Sequence, residues 1–125
     1  MEQRERVYWG TTALFCLAFA GGGFNHLLHT QYMTENMTQL GYPAYVMTIL
    51  GVAKLLGVIA LAVPARPFLK EWAYAGFAFD LIGAIASHNF AGDPVSASLP
   101  PMVLLALGAM SYSLRPASRR LAPAA

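Results

Sequence analysis

The sequence predicts an all-α fold, a bundle of four transmembrane helices with a short interfacial helix between the first and second. Three observations predict it: scarce charge, four apolar stretches of membrane-spanning length, and basic residues gathered in alternate connections. Of the 125 residues, 57% are hydrophobic and only 11% are charged. A soluble domain carries about 25% charged residues, and a chain this short needs a large polar surface if it faces water. There is too little charge here to make one, so lipid is the expected solvent. The length suits one domain, residues 1–125.

The first apolar stretch runs roughly from Val7 to Leu28, the second from Pro43 to Val63, the third from Trp72 to Ala91 and the fourth from Ser96 to Leu114. Each approaches the ~20 residues that cross a hydrocarbon core as a helix. No apolar/polar alternation suggests barrel strands. Helices satisfy their own backbone hydrogen bonds, as lipid requires. Pro43 opens the second stretch and Pro64 closes it; Pro100 and Pro101 fall early in the fourth, and Pro116 follows it. Proline is tolerated at such positions because the first turn of a helix has no use for its N–H. Between the first two stretches, Met33, Met37 and Leu40 recur at helical spacing and Gly41 follows as a stop. This segment predicts a short amphipathic helix on the membrane surface. Arg4 and Arg6 ahead of the first stretch imitate a signal peptide. The apolar run continues past the small-residue motif Ala18-Phe19-Ala20, so the segment is expected to stay as a span.

Orientation follows from lysine and arginine. Arg4 and Arg6 precede the first stretch, Arg66 and Lys70 separate the second from the third, and Arg115, Arg119 and Arg120 follow the fourth. The two remaining connections contain neither residue type. Both termini are therefore expected in the cytoplasm, with the protein multi-pass in the cell (inner) membrane.

Lys54 and Asp80 are the charges inside the apolar spans. An unpaired charge at mid-membrane costs about 2.5–3.5 kcal/mol on insertion scales. Lys54 lies nine residues before Val63 and Asp80 nine after Glu71, which places both roughly 13–14 Å from the inner boundary. Antiparallel neighbours would set them level as an ion pair. Such a pair either fixes helix register or serves as a proton relay or ligand counter-ion. Ala53 and Gly57, and Gly76, Asp80, Ala84 and Ser87, give these helices small faces. Small faces suit close helix packing, or a slot for a planar ligand.

A second polar group marks the outer end. Asn25, His26 and His29 close the first stretch; His88 and Asn89 close the third. The depth count sets His26 level with His88. Three readings stay open: a metal held by three imidazoles, a polar ligand or proton-transfer site, and ordinary interfacial histidines. Asp93 and Glu35 would add negative charge nearby. No HExxH motif, paired cysteines, P-loop or Rossmann fingerprint is present, so no metal or cofactor is evident. The single cysteine, Cys16, excludes an intrachain disulfide and is expected to be buried and inert. A net charge of +2 without a basic run gives no argument for nucleic acid.

The segments Gly41-Tyr42-Pro43-Ala44-Tyr45, Leu50-Gly51-Val52-Ala53-Lys54-Leu55-Leu56-Gly57, Leu69-Lys70-Glu71-Trp72-Ala73-Tyr74-Ala75-Gly76-Phe77 and Phe79-Asp80-Leu81 together resemble the DoxX-like family. Gly83-Ala84, Ser87-His88 and Gly92-Asp93-Pro94 extend the resemblance from about Tyr8 to Pro116. It implies a four-helix membrane bundle. Broader relatives are linked to thiosulfate or thiol:quinone oxidoreduction, or to assembly of membrane proteins. Where the family's first helix carries a small-residue turn followed by a lysine, this chain has Gly23-Phe24-Asn25-His26. The expectation is an accessory membrane subunit that binds a quinone-like or other amphipathic ligand, or a redox protein partner. Lys54 and Asp80 would meet the ligand, and His26, His88 and Asn25 would form a polar mouth. The rivals are a membrane oxidoreductase subunit and a scaffold or assembly factor. No catalytic residue is assigned, and a homo-oligomer is compatible with so small a bundle.

Overall fold

The computed structural model describes residues 2–122. Five α-helices follow in order: α1 Gln3–Leu27, α2 Gln31–Gln39, α3 Tyr45–Ala62, α4 Pro67–Phe90 and α5 Val95–Ser113. A single 3-10 turn, Ala117–Arg119, ends the described chain. Two helices begin earlier than their apolar stretches. α1 starts at Gln3 and α4 at Pro67, because polar residues such as Lys70 and Glu71 continue a helix as readily as apolar ones. Ala65 and Arg66 hold left-handed backbone (φ 58° and 55°) and deliver the chain to Pro67 at the first helical turn. The short helix is present as α2, with the Thr30 hydroxyl capping the Met33 N–H at 3.4 Å. α1, α3 and α5 are long and apolar enough to cross a membrane. α4 has the length, but with Lys70, Glu71, Asp80, His88 and Asn89 along it, it is not among the helices apolar enough by composition to cross one.

The four long helices form a closed ring in which α1 touches α3 and α5, and α4 touches the same two. α1 and α4 face each other across the diagonal, and phenyl rings fill the space between them. Phe19 and Phe77 lie 4.1 Å apart between centroids, Phe15 and Phe77 5.3 Å, and Phe15 and Phe19 4.8 Å. Each such pair contributes about 0.5–1.5 kcal/mol beyond simple packing. Glycines make room for the rings. A β-carbon on Gly57 would sit 2.5 Å from Phe77, and one on Gly108 2.7 Å from Phe15. Leu61, Tyr74 and Leu81 complete the core.

The basic residues at the end of the bundle that holds the termini also make buried contacts. Lys70 is fully buried, and its ammonium donates to the carbonyls of Ala60 (3.0 Å), Val63 (2.5 Å) and Ala65 (2.5 Å). It thereby satisfies carbonyls that the end of α3 leaves orphaned. Arg119, also buried, donates to the Tyr8 hydroxyl at 2.7 Å and to the Leu61 carbonyl. Beneath it, the hydroxyl of Ser111 meets those of Thr12 and Tyr74, each at 2.6 Å. Arg115 pairs with Glu71, which also accepts from the Tyr112 hydroxyl at 2.8 Å. This ties α4 to α5.

Burial alone would raise the Glu71 carboxyl, but the hydrogen bonds from Arg115 and Tyr112 and the Arg115 charge outweigh it and hold the group below its ordinary 4.5. A carboxyl lowered by folding stabilises the fold fully above its unfolded value, and that contribution is lost as pH falls. Thermal stability in detergent should therefore decline below pH about 4.5. Glu71→Gln should cost about 1–2 kcal/mol at neutral pH and flatten that acid limb. An acid limb as steep in the variant as in the parent would show that other carboxylates cause it.

Candidate functional site

Polar side chains meet inside the bundle where α1, α3 and α4 converge. The meeting begins with a close helix crossing. A β-carbon on Gly51 of α3 would lie 2.8 Å from the Gly23 carbonyl and 2.7 Å from the Leu27 side chain, both on α1. Small residues at a crossing let backbones approach to this degree. Three residues on from each glycine come His26 and Lys54, and their side chains meet, with Lys54 Nζ 3.3 Å from His26 Nδ1. With Lys54 charged, Nδ1 accepts and the imidazole proton sits on Nε2. On the far side of the amine, Asp80 Oδ2 of α4 lies 3.8 Å away. The Phe19 ring is 5.5 Å off, within cation–π range. Gly22 completes the surround; a β-carbon there would stand 3.6 Å from Nζ.

Lys54 and Asp80 also line a cleft of about 600 Å³ between α3 and α4. Trp72, Phe77 and Phe79 give it aromatic walls, and Lys54 and Asp80 are its ionisable lining residues. Their side chains keep 14% and 20% of their surface exposed, so the pair is reachable from the cleft. Gly57 on the small face of α3 is tightly packed against Phe77, whereas the glycines of α4 are not. Gly76 lines this cleft, and neither Gly76 nor Gly83 has any atom within 4 Å of a β-carbon position. A second cleft, about 330 Å³, lies between α4 and α5. Its carboxylate, Glu71, is already engaged by Arg115 and Tyr112, so it offers less chemistry.

The structure gathers His26, Lys54 and Asp80 and leaves two expected partners outside. Asn25 is exposed and donates to the Gly21 carbonyl of its own helix at 2.9 Å. His88 turns to Asp93, with 2.7 Å between Nδ1 and Oδ2, rather than to His26. His29 meets Thr48 at 2.9 Å. The three imidazoles thus have three different partners and do not converge. Asp93 also accepts from Gln39 of α2 at 3.1 Å, and the Tyr42 hydroxyl meets Ser87 at 2.5 Å. Glu35 is occupied by Gln31 on its own helix. The Gln39–Asp93 contact fastens α2 over the end of the bundle, and Tyr42–Ser87 fastens the connection that follows it.

A family model for the DoxX-like family matches residues 10–111, most of the chain. The chain belongs to the DoxX-like family. Together with the apolar helices, this makes it a helical membrane protein. No characterised protein and no solved structure matches the chain. In this DoxX-like protein His26, near the end of α1, supplies a ring nitrogen to Lys54. Depth counting sets His26 level with His88 and offers no link from His26 to Lys54. Gly22 and Gly23 were the available signal, since they permit the close approach of α3 and of the Lys54 side chain.

Proposed function

We propose that this DoxX-like protein binds a quinone-like, amphipathic carbonyl ligand in the α3–α4 cleft, as an accessory membrane subunit. All four long helices span the bilayer in this reading, with both termini in the cytoplasm and α2 lying on the outer surface. The basic residues at one end support that orientation, and α4 is accepted as a span because Asp80 is paired there.

The observation that carries the reading is the placement of Lys54 and Asp80 on the wall of an aromatic, otherwise apolar cleft. A ligand's ring would lie against Trp72 and Phe79, and its tail would remain in lipid. Lys54 would donate to a carbonyl oxygen, and Asp80 would accept from the hydroxyl of the reduced form.

Trp72 supplies the readout. Decylubiquinone should quench its fluorescence saturably in nanodiscs, and Trp72→Phe should lose that component. Lys54→Met should weaken binding roughly tenfold or more, the value of one charge-assisted hydrogen bond. Mass spectrometry of the purified protein should find co-purifying quinone or a similar amphiphile. Quenching that rises linearly and equally in parent and Lys54→Met would mean simple partition into lipid, and the reading would fail.

A further inference from the structure

We propose that Lys54 is an imine-forming lysine, which takes an apolar aldehyde covalently in the α3–α4 cleft. This rests on the cleft being a ligand site and narrows the ligand's reactive group. The chain has two lysines, and the fold treats them oppositely. Lys70 is fully buried with three carbonyls around its nitrogen. Lys54 borders an open cleft, and two proton-handling groups stand beside its amine.

The chemistry needs those two groups. The Lys54 ammonium first gives a proton to His26 Nδ1, 3.3 Å away. The freed lone pair attacks the aldehyde carbon, and the proton shed by the nitrogen, now cationic, passes to the former carbonyl oxygen to give a neutral carbinolamine. The carbinolamine hydroxyl then receives a proton from His26 and leaves as water while the C=N bond forms. Aldehyde plus amine gives imine plus water, and no oxidant or reductant enters. The product is a protonated imine with the positive charge where the ammonium held it, still facing Asp80. An apolar span tolerates charge only when it is paired, and this reaction preserves the pairing. Desolvation and a neighbouring ionisable group are the usual means of making a lysine nucleophilic.

The lining selects the aldehyde. Lys54 and Asp80 are the cleft's ionisable residues. Among the described residues, no second cation lines the cleft to meet a carboxylate or phosphate on the ligand. Sugars and keto acids are thereby disfavoured against long-chain or conjugated aldehydes, whose tails the aromatic walls and the lipid can hold.

The experiment uses the full chain in phosphatidylcholine nanodiscs, which contain no lipid amine. Hexadecanal is added, the imine is trapped with cyanoborohydride, and peptides are mapped by mass spectrometry. Adduct should form on Lys54 at least tenfold faster than on Lys54 of the detergent-denatured chain, with Lys70 unlabelled. Lys54→Arg, which retains the charge pair, should lose the adduct. His26→Gln should slow formation at least tenfold while leaving Lys54 the site. All-trans-retinal gives a second readout. Its adduct should absorb as the protonated imine at neutral pH in the parent and shift to shorter wavelength in Asp80→Asn. Labelling of Lys54 no faster than in the denatured chain would overturn the proposal. If Trp72 quenching by decylubiquinone persists in that case, only the imine fails; if it is absent too, the cleft is not a ligand site at all.

Discussion

Gly51→Ala is expected to destabilise the bundle by about 3 kcal/mol, the upper range for overpacking a tight contact. On the order of 10 °C should be lost from the thermal midpoint. The reason is geometric. The added carbon would fall 2.8 Å from the Gly23 carbonyl and 2.9 Å from the Leu27 nitrogen, and both are backbone atoms of α1. Backbone cannot rotate aside as a side chain would, so α1 and α3 must separate. The separation should be felt at the crossing itself, where the Lys54 side chain reaches from α3 past Gly22 to His26 at 3.3 Å. Cys16 offers a convenient reporter. It is the single cysteine, it is partly buried, and it packs on the core formed by Phe15, Phe19 and their neighbours. Heating in the presence of a thiol-reactive fluorophore will read its exposure. Gly10→Ala and Gly83→Ala serve as controls, since a β-carbon at either meets nothing within 4 Å. Alanine favours helix over glycine by up to about 1 kcal/mol, so these controls should melt at or above the parent. A Gly51→Ala protein that melts with the controls would mean that the crossing is looser than described.

That crossing also shows where sequence reasoning reaches and where it stops. The apolar stretches gave the long helices because span length and helix length nearly coincide in lipid. The pairing of Lys54 with Asp80 was legible because it reduces to counting equal rises on two antiparallel helices. The link from Lys54 to His26 was not. Depth counts place α-carbons, whereas a lysine carries its charge on a long stem. The glycines that bring α1 close are visible, but their partners across the interface are not. Lys70 and Arg119 were read as charges that orient the chain, and burial gives them a further task. Apart from the Tyr8 hydroxyl, their partners are backbone carbonyls at and just after the end of α3, which gather in one place only once the left-handed turn at Ala65 and Arg66 exists. No residue type announces that turn apart from Pro67 after it. The Gly76 face was likewise ambiguous, because a row of small residues serves a tight contact and an open groove equally well. Only the three-dimensional packing shows that Gly76 borders an open groove.

Breaking the Lys54–Asp80 pair from one side is expected to cost more than removing it from both. Lys54→Met leaves Asp80 without its cation, and Asp80→Leu leaves Lys54 without its anion. Unpaired buried charges of this kind cost about 3–5 kcal/mol, and the insertion cost of either charge alone, about 2.5–3.5 kcal/mol, is of the same order. The His26 nitrogen at 3.3 Å can accept from Lys54 but offers Asp80 no comparable partner. Lys54→Met should therefore be the worse of the two single changes. In Lys54→Met/Asp80→Leu neither charge remains, and apolar side chains of similar size meet an apolar cleft. Its stability should return to within about 1 kcal/mol of the parent or exceed it, as replaced buried ion pairs often do. The interaction free energy from this cycle, measured by Cys16 exposure on heating, should then be about 3 kcal/mol or more. A small coupling would mean that the two side chains are solvated separately by the open cleft. The double variant also divides structure from function. If the pair serves only to fix register, a well-folded double variant keeps whatever the cleft binds. If the pair meets the ligand, the variant folds as well as the parent and still loses saturable quenching of Trp72 by decylubiquinone. The second outcome is expected, because the pair is set on the wall of the cleft with both side chains reachable from it, rather than sealed between the helices.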